Sequence, residues 1–244
     1  MDQQTKAALK TDRFVTTTEH GLTWANQNRR SVIITSAILL LVIIAAVASV
    51  TIYRDRSDAA ATAFGAAMQA YQTPLADPGQ PVPPGTKTYA SASERAKAAN
   101  ALFNDVAARY GMTPSGKLAR YFSALTYIEA GQTQSAEDAL KKIASGWDSN
   151  LASLAKLSLA QLYQDTNRDP QAIDLYNQLA AKPTATVPDG IAQLQLAELY
   201  GDENKPEAAR KIYAQLKDKD PKSAAGVMAA QKLNPNAAAS QAQQ

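Results

Sequence analysis

The chain has no cysteine and a single histidine, His20, in 244 residues. The first absence excludes disulfides, thiolate metal sites and cysteine nucleophiles. The second means that any catalytic triad or metal cluster beyond the N-terminal tail would have to work without imidazole. Aromatic residues are scarce at 7%, and Val and Ile concentrate in residues 31–53, which leaves little for a β-sheet. Nor is there a large charge of one sign: 25 basic groups face 22 acidic ones. Residues 1–30 hold Lys6, Lys10, Arg13, Arg29 and Arg30 against Asp2, Asp12 and Glu19, leaving 20 basic and 19 acidic groups beyond residue 53. No basic stripe with interleaved aromatics occurs, so nucleic acid is not an expected partner. The pI near 8.9 is a small excess magnified by near-neutrality.

The 45% apolar content leans instead on alanine, the best helix former, whose small side chain lets helix axes approach closely. The expected fold class is all-α. One segment stands apart: SVIITSAILLLVIIAAVASVTIY, residues 31–53, carries no charge. As a helix it would reach about 34 Å, enough for a hydrocarbon core of about 30 Å. Arg29 and Arg30 flank one end and Arg54 and Arg56 the other, with Trp24 and Tyr53 placed as interfacial aromatics. Two rival readings fit the segment less well. A core helix this long would carry a polar face, and this one has only scattered Ser and Thr. A cleaved signal peptide is suggested by Ala46-Val47-Ala48, but the preceding region is long and the apolar run continues past that site. The expected layout is a cytoplasmic tail over 1–30, a transmembrane signal anchor over 31–53 and a domain over 58–233 outside the cytoplasm, with a disordered tail over 234–244. In a bacterium this makes a single-pass inner-membrane protein with a periplasmic domain. The tail has two open readings: a short amphipathic segment on the membrane surface, through Leu9, Phe14, Val15, Leu22 and Trp24, or a flexible strand.

Internal repetition is the most specific signal. RYFSALTYIEAGQTQSAEDALKKI, KLSLAQLYQDTNRDPQAIDLYNQL and QLQLAELYGDENKPEAARKIYAQL begin at Arg120, Lys156 and Gln193, offsets of 36 and 37 residues. Ala124, Ala160 and Ala197 recur, then Tyr127, Tyr163 and Tyr200, then Ala136, Ala172 and Ala209, then Leu140, Tyr176 and Tyr213. Each unit reads as two amphipathic helices around a short polar turn. Asp169 is a candidate cap, with Pro170 and Pro206 in first turns where no amide donor is needed. The small residues permit a close crossing within each pair, and tyrosine fills the wedge between pairs; one pair cannot bury its own apolar face, so the units must stack.

These segments resemble tetratricopeptide repeats (TPRs), whose pattern is a small residue, Tyr, Ala, a bulky aromatic and a terminal Pro. Gln193–Pro221 matches in register through Leu196, Ala197, Tyr200, Ala209, Tyr213 and Pro221; Arg120–Trp147 departs most, with Ser123 and Leu140 where Leu and an aromatic are usual. Upstream, residues 91–111 read as a second-type helix with a Ser91/Glu94 capping box, partnered by Asp58–Gln72. The Pro/Gly-rich loop over 73–92 interrupts this first repeat, either as a functional loop or as an exposed connector. A closing helix is expected at Lys222–Leu233. The expected architecture is an α-solenoid of about four helix pairs.

TPR positions imply a concave surface lined by first-helix residues Leu118, Tyr121, Leu125, Ile128, Leu154, Leu157, Gln161, Gln164, Ile191, Leu194 and Glu198. The lining is largely apolar and lacks a carboxylate-clamp pattern, which suits hydrophobic segments of partner chains. Whether this groove is open or covered by the interrupted first repeat or the closing helix stays undecided by the sequence. The whole layout, with the tail motif Leu9-Lys10-x-Asp12-x-Phe14, Trp24 and the arginine pair, resembles the YfgM-like family of ancillary SecYEG translocon subunits. That resemblance implies a periplasmic TPR adaptor near the export channel, working beside membrane-tethered periplasmic chaperones. The alternative is a TPR scaffold of another envelope process, cell division or outer-membrane assembly. No enzyme activity, cofactor or metal is expected: Asp165, Glu198 and Asp202 could face the groove, yet TPR faces are ordinarily charged.

Overall fold

A computed structural model describes Trp24, residues 27–76, Gly79, Gly85 and residues 87–234. His20, most of the expected tail over 1–30, the middle of the loop over 73–92 and residues 235–244 lie outside these. The chain divides into two units, Met1–Arg56 and Ser57–Gln244. Among the described residues there are nine helices and no strand: α1 Arg29–Tyr71, α2 Ala92–Tyr110, α3 Pro114–Glu129, α4 Thr133–Ala144, α5 Ser149–Asp165, α6 Asp169–Ala181, α7 Asp189–Asp202, α8 Pro206–Lys219 and α9 Ala224–Leu233.

In the first unit, α1 is long and apolar enough to cross a membrane, and none of its apolar stretch is buried within the protein. Ile33 and Leu41 are 66% and 65% exposed, which is not how a core helix carries its side chains. The hydroxyls of Thr35, Ser49 and Thr51 donate back to the carbonyls of Ser31, Ala45 and Val47, four residues earlier. Every polar side chain so bonded is satisfied within its own helix, as hydrocarbon surroundings demand. The segment is a candidate membrane span. The sequence suggests separate helices over 31–53 and from Asp58; a single helix runs through both, because RDRSD between them contains neither Gly nor Pro.

In the second unit, residues 57–71 of α1 pair with α2, followed by α3/α4, α5/α6 and α7/α8, with α9 closing the stack. Each helix from α2 onward packs on its neighbours in the chain; α3 also meets α5, and α7 meets α9. The recurring alanines set the crossings: Ala124, Ala160, Ala197, Ala136 and Ala172 are fully buried. Tyr163, Tyr176 and Tyr213 fill wedges at 5%, 0% and 7% exposure. The first pair is built differently. Phe64, Tyr71, Phe103 and Phe122 form one ring cluster, with Phe103 and Phe122 stacked at 5.4 Å and Phe64 edge-on to Phe122 at 5.6 Å. Here the rings pack beside Ala67 and Ala99, which are fully buried, as alanines are in the later pairs.

The turns inside the three clear pairs share one geometry that the repeat alignment alone does not reveal. Gly131, Asn167 and Asn204 occupy equivalent positions and have φ of 76°, 57° and 58°. This left-handed residue lets the next amide reach back: Gln132, Arg168 and Lys205 N–H donate to the carbonyls of Tyr127, Tyr163 and Tyr200 at 2.8, 2.7 and 2.8 Å. Glycine and asparagine are the residues that tolerate that conformation. The same geometry corrects the expected cap at Asp169. Because Arg168 closes the turn, it becomes the N-cap and Asp169 is already the first helical residue, with no side-chain cap bond in this helix. Its carboxylate still lies at the positive end of the helix. Half of the expected Ser91/Glu94 capping box is present, with Ser91 Oγ accepting from Glu94 N–H at 3.1 Å; the return bond is shifted by one residue, Glu94 Oε2 accepting from Ala90 N–H at 3.1 Å. The closing helix starts at Ala224 rather than Lys222, since Ser223 caps it by accepting from Gly226 N–H at 3.0 Å. The ends of the long loop meet in a single parallel bridge between Leu75 and Tyr89.

Candidate protein-binding faces

Of the eleven first-helix positions predicted to line a groove, Leu194 alone is buried; the others are exposed or half-buried. Leu194 is buried in the terminal core with Tyr213 and Leu216. Leu154 and Leu157 pack against Leu179, Val187 and Ala192, and Ile128 and Tyr121 pack on the central core. Leu118 and Ile191 are the exposed apolar members, at 39% and 40%, with Leu125 half-buried. The predicted lining is thus a mixed face, in which partly exposed apolar side chains alternate with polar ones.

The polar members bridge neighbouring first helices. Tyr121 Oη lies 2.9 Å from Ser158 Oγ. Gln161 donates to Gln195 at 3.4 Å, and Gln164 donates to Asp202 at 3.4 Å while accepting from the Tyr176 hydroxyl at 3.3 Å. Burial pushes that hydroxyl's pKa up to about 12, so it stays a donor. Glu198 accepts from Gln195 and pairs with Lys232 of α9 at 2.9 Å; the carboxylate raises the Lys232 pKa above its ordinary value. The closing helix thus reaches the far end of this face.

A separate recess of about 660 Å³ opens between the second helices α2 and α4, over α3 and beside the α4–α5 loop. It shares no residue with the predicted groove. Its lining from α3 is Lys117, Arg120, Ser123 and Tyr127, facing Asn104 from α2 and Lys142 from α4. At the mouth Trp147 is 84% exposed, with Lys117 Nζ 4.0 Å from its ring centre. The departure at Ser123 explains the inner wall. Leu159 and Leu196 hold the equivalent positions and are buried. Ser123 instead donates to Asn104 at 2.8 Å, and Asn100 donates to Ser123 and to the fully buried Thr126 at 3.2 and 3.0 Å. A satisfied amide–hydroxyl network replaces a leucine contact.

Behind the recess, one buried carboxylate joins the second and third of these pairs. Glu137 of α4 pairs with Lys141 at 2.7 Å and with Arg168 of the α5–α6 turn at 2.8 Å, and accepts from the Tyr163 hydroxyl at 3.2 Å. The hydrogen bond from Lys141, helped by those from Arg168 and Tyr163, holds the Glu137 pKa below the ordinary carboxylate value against the opposing effect of burial. Among the described residues no group of three His, Asp or Glu side chains is arranged to hold a metal.

Comparison with known proteins agrees with this architecture. Residues 23–183 match the tetratricopeptide repeat-like domain family, and residues 191–223 match the tetratricopeptide repeat. The chain belongs to the tetratricopeptide repeat-like domain family. None of the curated proteins matches it. A solved structure of TPR-like repeats from a Podosopora anserina kinesin light chain is similar at 20% identity, over 57% of this chain and 76% of that one, with a TM-score of 0.46. The fold defines a class of protein that binds other proteins.

Proposed function

We propose that the chain is a membrane-anchored, non-enzymatic adaptor of the YfgM-like kind, whose repeat domain lies in the periplasm and holds protein partners beside the SecYEG export channel, together with membrane-tethered chaperones. The observation that carries this reading is that one family domain, residues 23–183, embraces both the candidate span and three helix pairs. An anchor and a stack that recur as a unit suit a protein that must work at a membrane rather than one that is merely exported. The all-α stack offers no nucleophile of the cysteine or histidine type, and its mixed first-helix face supplies both apolar contacts and amide donors for a partner chain.

The full chain, tagged at its C-terminus and captured from mild detergent, should bring down subunits of the export channel and a membrane-tethered chaperone. Recovery of neither would refute the association, and capture of cell-division or outer-membrane-assembly proteins would move the adaptor to that process. Topology is tested separately. The chain has no cysteine, so Lys211→Cys on exposed α8 gives a single thiol. A maleimide that crosses only the outer membrane should label it in intact cells; labelling only after lysis would place the domain in the cytoplasm.

A further inference from the structure

We propose that the recess between α2, α3 and α4 is a second docking site, for an extended acidic segment of a partner protein, distinct from the first-helix face and independent of which membrane complex the protein joins. Three observations converge on it. The first is charge. Lys117, Arg120 and Lys142 line the recess against one carboxylate, Asp148. That carboxylate is engaged already: Asp148 caps α5 by accepting from Leu151 N–H at 3.2 Å and lies 3.8 Å from Lys117. Arg120 and Lys142 have no side-chain hydrogen bond or ion pair among the described residues; other surface cations such as Lys97, Lys182 and Lys211 share that state, but these two face one recess. In a chain whose charges beyond residue 53 nearly cancel, the surplus is local, and its complement is an anion.

The second observation is placement. A Cβ on Gly111 would stand 2.1 Å from Arg120 Nη2. The guanidinium therefore lies over the α2–α3 turn, in the space left by the missing side chain of Gly111, and is directed along the wall of the recess. The third is Trp147. It is one of two tryptophans in the chain, 84% exposed, with an ammonium over its ring at 4.0 Å. A large, rigid, exposed aromatic beside a recess is the kind of side chain that carries binding energy at protein interfaces.

The shape selects the occupant. The volume of about 660 Å³ falls within the ordinary range for ligand clefts, and the cations sit on two facing helices, two on α3 and one on α4. Carboxylates spaced along an extended chain can meet both walls, while the Tyr127 hydroxyl, which accepts from Asn104 at 3.2 Å, keeps its proton to donate. A bilayer surface or a nucleic acid needs a broad basic face instead, and no such excess exists here.

The test uses the full chain in neutral detergent with Trp24→Phe, so that Trp147 is the sole tryptophan. The probe is a capped octapeptide of Glu and Asp around one Phe, compared with its Gln/Asn counterpart. The acidic peptide should shift Trp147 emission saturably, and the amide peptide should bind at least about tenfold more weakly, with the difference shrinking as salt rises. Arg120→Gln with Lys142→Gln should weaken the acidic peptide by about tenfold or more at unchanged helix content. Ser123→Leu should fill the recess and abolish the shift; if that variant does not fold, the double charge variant still decides. Equal affinity for both peptides, or an unaltered affinity in the double variant, overturns the proposal. So does an emission shift produced by phosphatidylglycerol vesicles and not by the peptide, which would assign the recess to a lipid surface.

Discussion

Removing Glu137 should loosen one junction of the stack and leave the others intact. Its carboxylate is 8% exposed and is shared by Lys141, 53% exposed, and Arg168, 32% exposed, while the Tyr163 hydroxyl depends on it for an acceptor. In Glu137→Ala the two cations can turn to water, which limits the loss, but the tyrosine hydroxyl keeps no acceptor in a buried position. A net hydrogen bond to a charged group contributes about 1.5–3 kcal/mol, so with partial rehydration the expected cost is about 2–3 kcal/mol. For a domain of this size that lowers Tm by about 4–12 °C. Glu137→Gln keeps an acceptor for Tyr163 and should cost about half as much. Far-UV circular dichroism of the full chain in detergent gives the midpoint, and hydrogen exchange locates the change. In a stack whose units touch only their neighbours, protection should fall in α4, α5 and the turn holding Arg168, and hold in α7–α9. A midpoint within about 1 °C of wild type for the alanine variant, or an even loss of protection, would refute the reasoning.

The same group predicts a pH dependence. Since the folded pKa of Glu137 lies below its unfolded value, of about 4.3, its contribution is complete above that value and is lost as pH falls through the folded one; the gap between wild type and Glu137→Gln should close on acidification below about pH 4. Gly116→Ala places a Cβ 1.9 Å from the Tyr110 carbonyl oxygen and 2.9 Å from Gly111 N, backbone atoms that cannot step aside, and should cost more than about 3 kcal/mol in chemical denaturation. Gly131→Ala, at φ 76°, should cost about 1–2 kcal/mol by the same measurement, whereas Asn167→Gly at the equivalent turn should stay within about 0.5 kcal/mol of wild type. Phe103→Ala empties the centre of the four-ring cluster, where Phe103 is fully buried, and should lower stability by about 3–5 kcal/mol.

What could be read from the sequence was whatever repeats. Ala124, Ala160 and Ala197 announce their role by recurring, and so do the tyrosines, because a stack solves the same packing problem in each unit. The apolar run announces itself by length. The groove lining is harder to read for a related reason. On a helix in a solenoid, the stripe toward a ligand and the stripe toward the next pair both carry leucine; spacing alone does not separate Leu194, which packs inward, from Leu118, which does not. The shared left-handed turn is not announced by letter alone, because Gly131 stands where Asn167 and Asn204 stand in the next two units.

The recess was illegible for the opposite reason: it exists where the repeat fails. Ser123 looks like decay of a leucine position when the aim is to align units. Decay at a core site would leave a void or an unpaired hydroxyl, each costly. Ser123 leaves neither, since Asn100, Asn104, Thr126 and Tyr127 form a closed network around it. A leucine restored alone would strand Asn104 without its serine donor and narrow the recess under Arg120. The substitution is consistent only as part of a set: Ser123 and Thr126 stay buried, and the polar network that satisfies them forms the inner wall of the recess beneath Arg120 and Lys142.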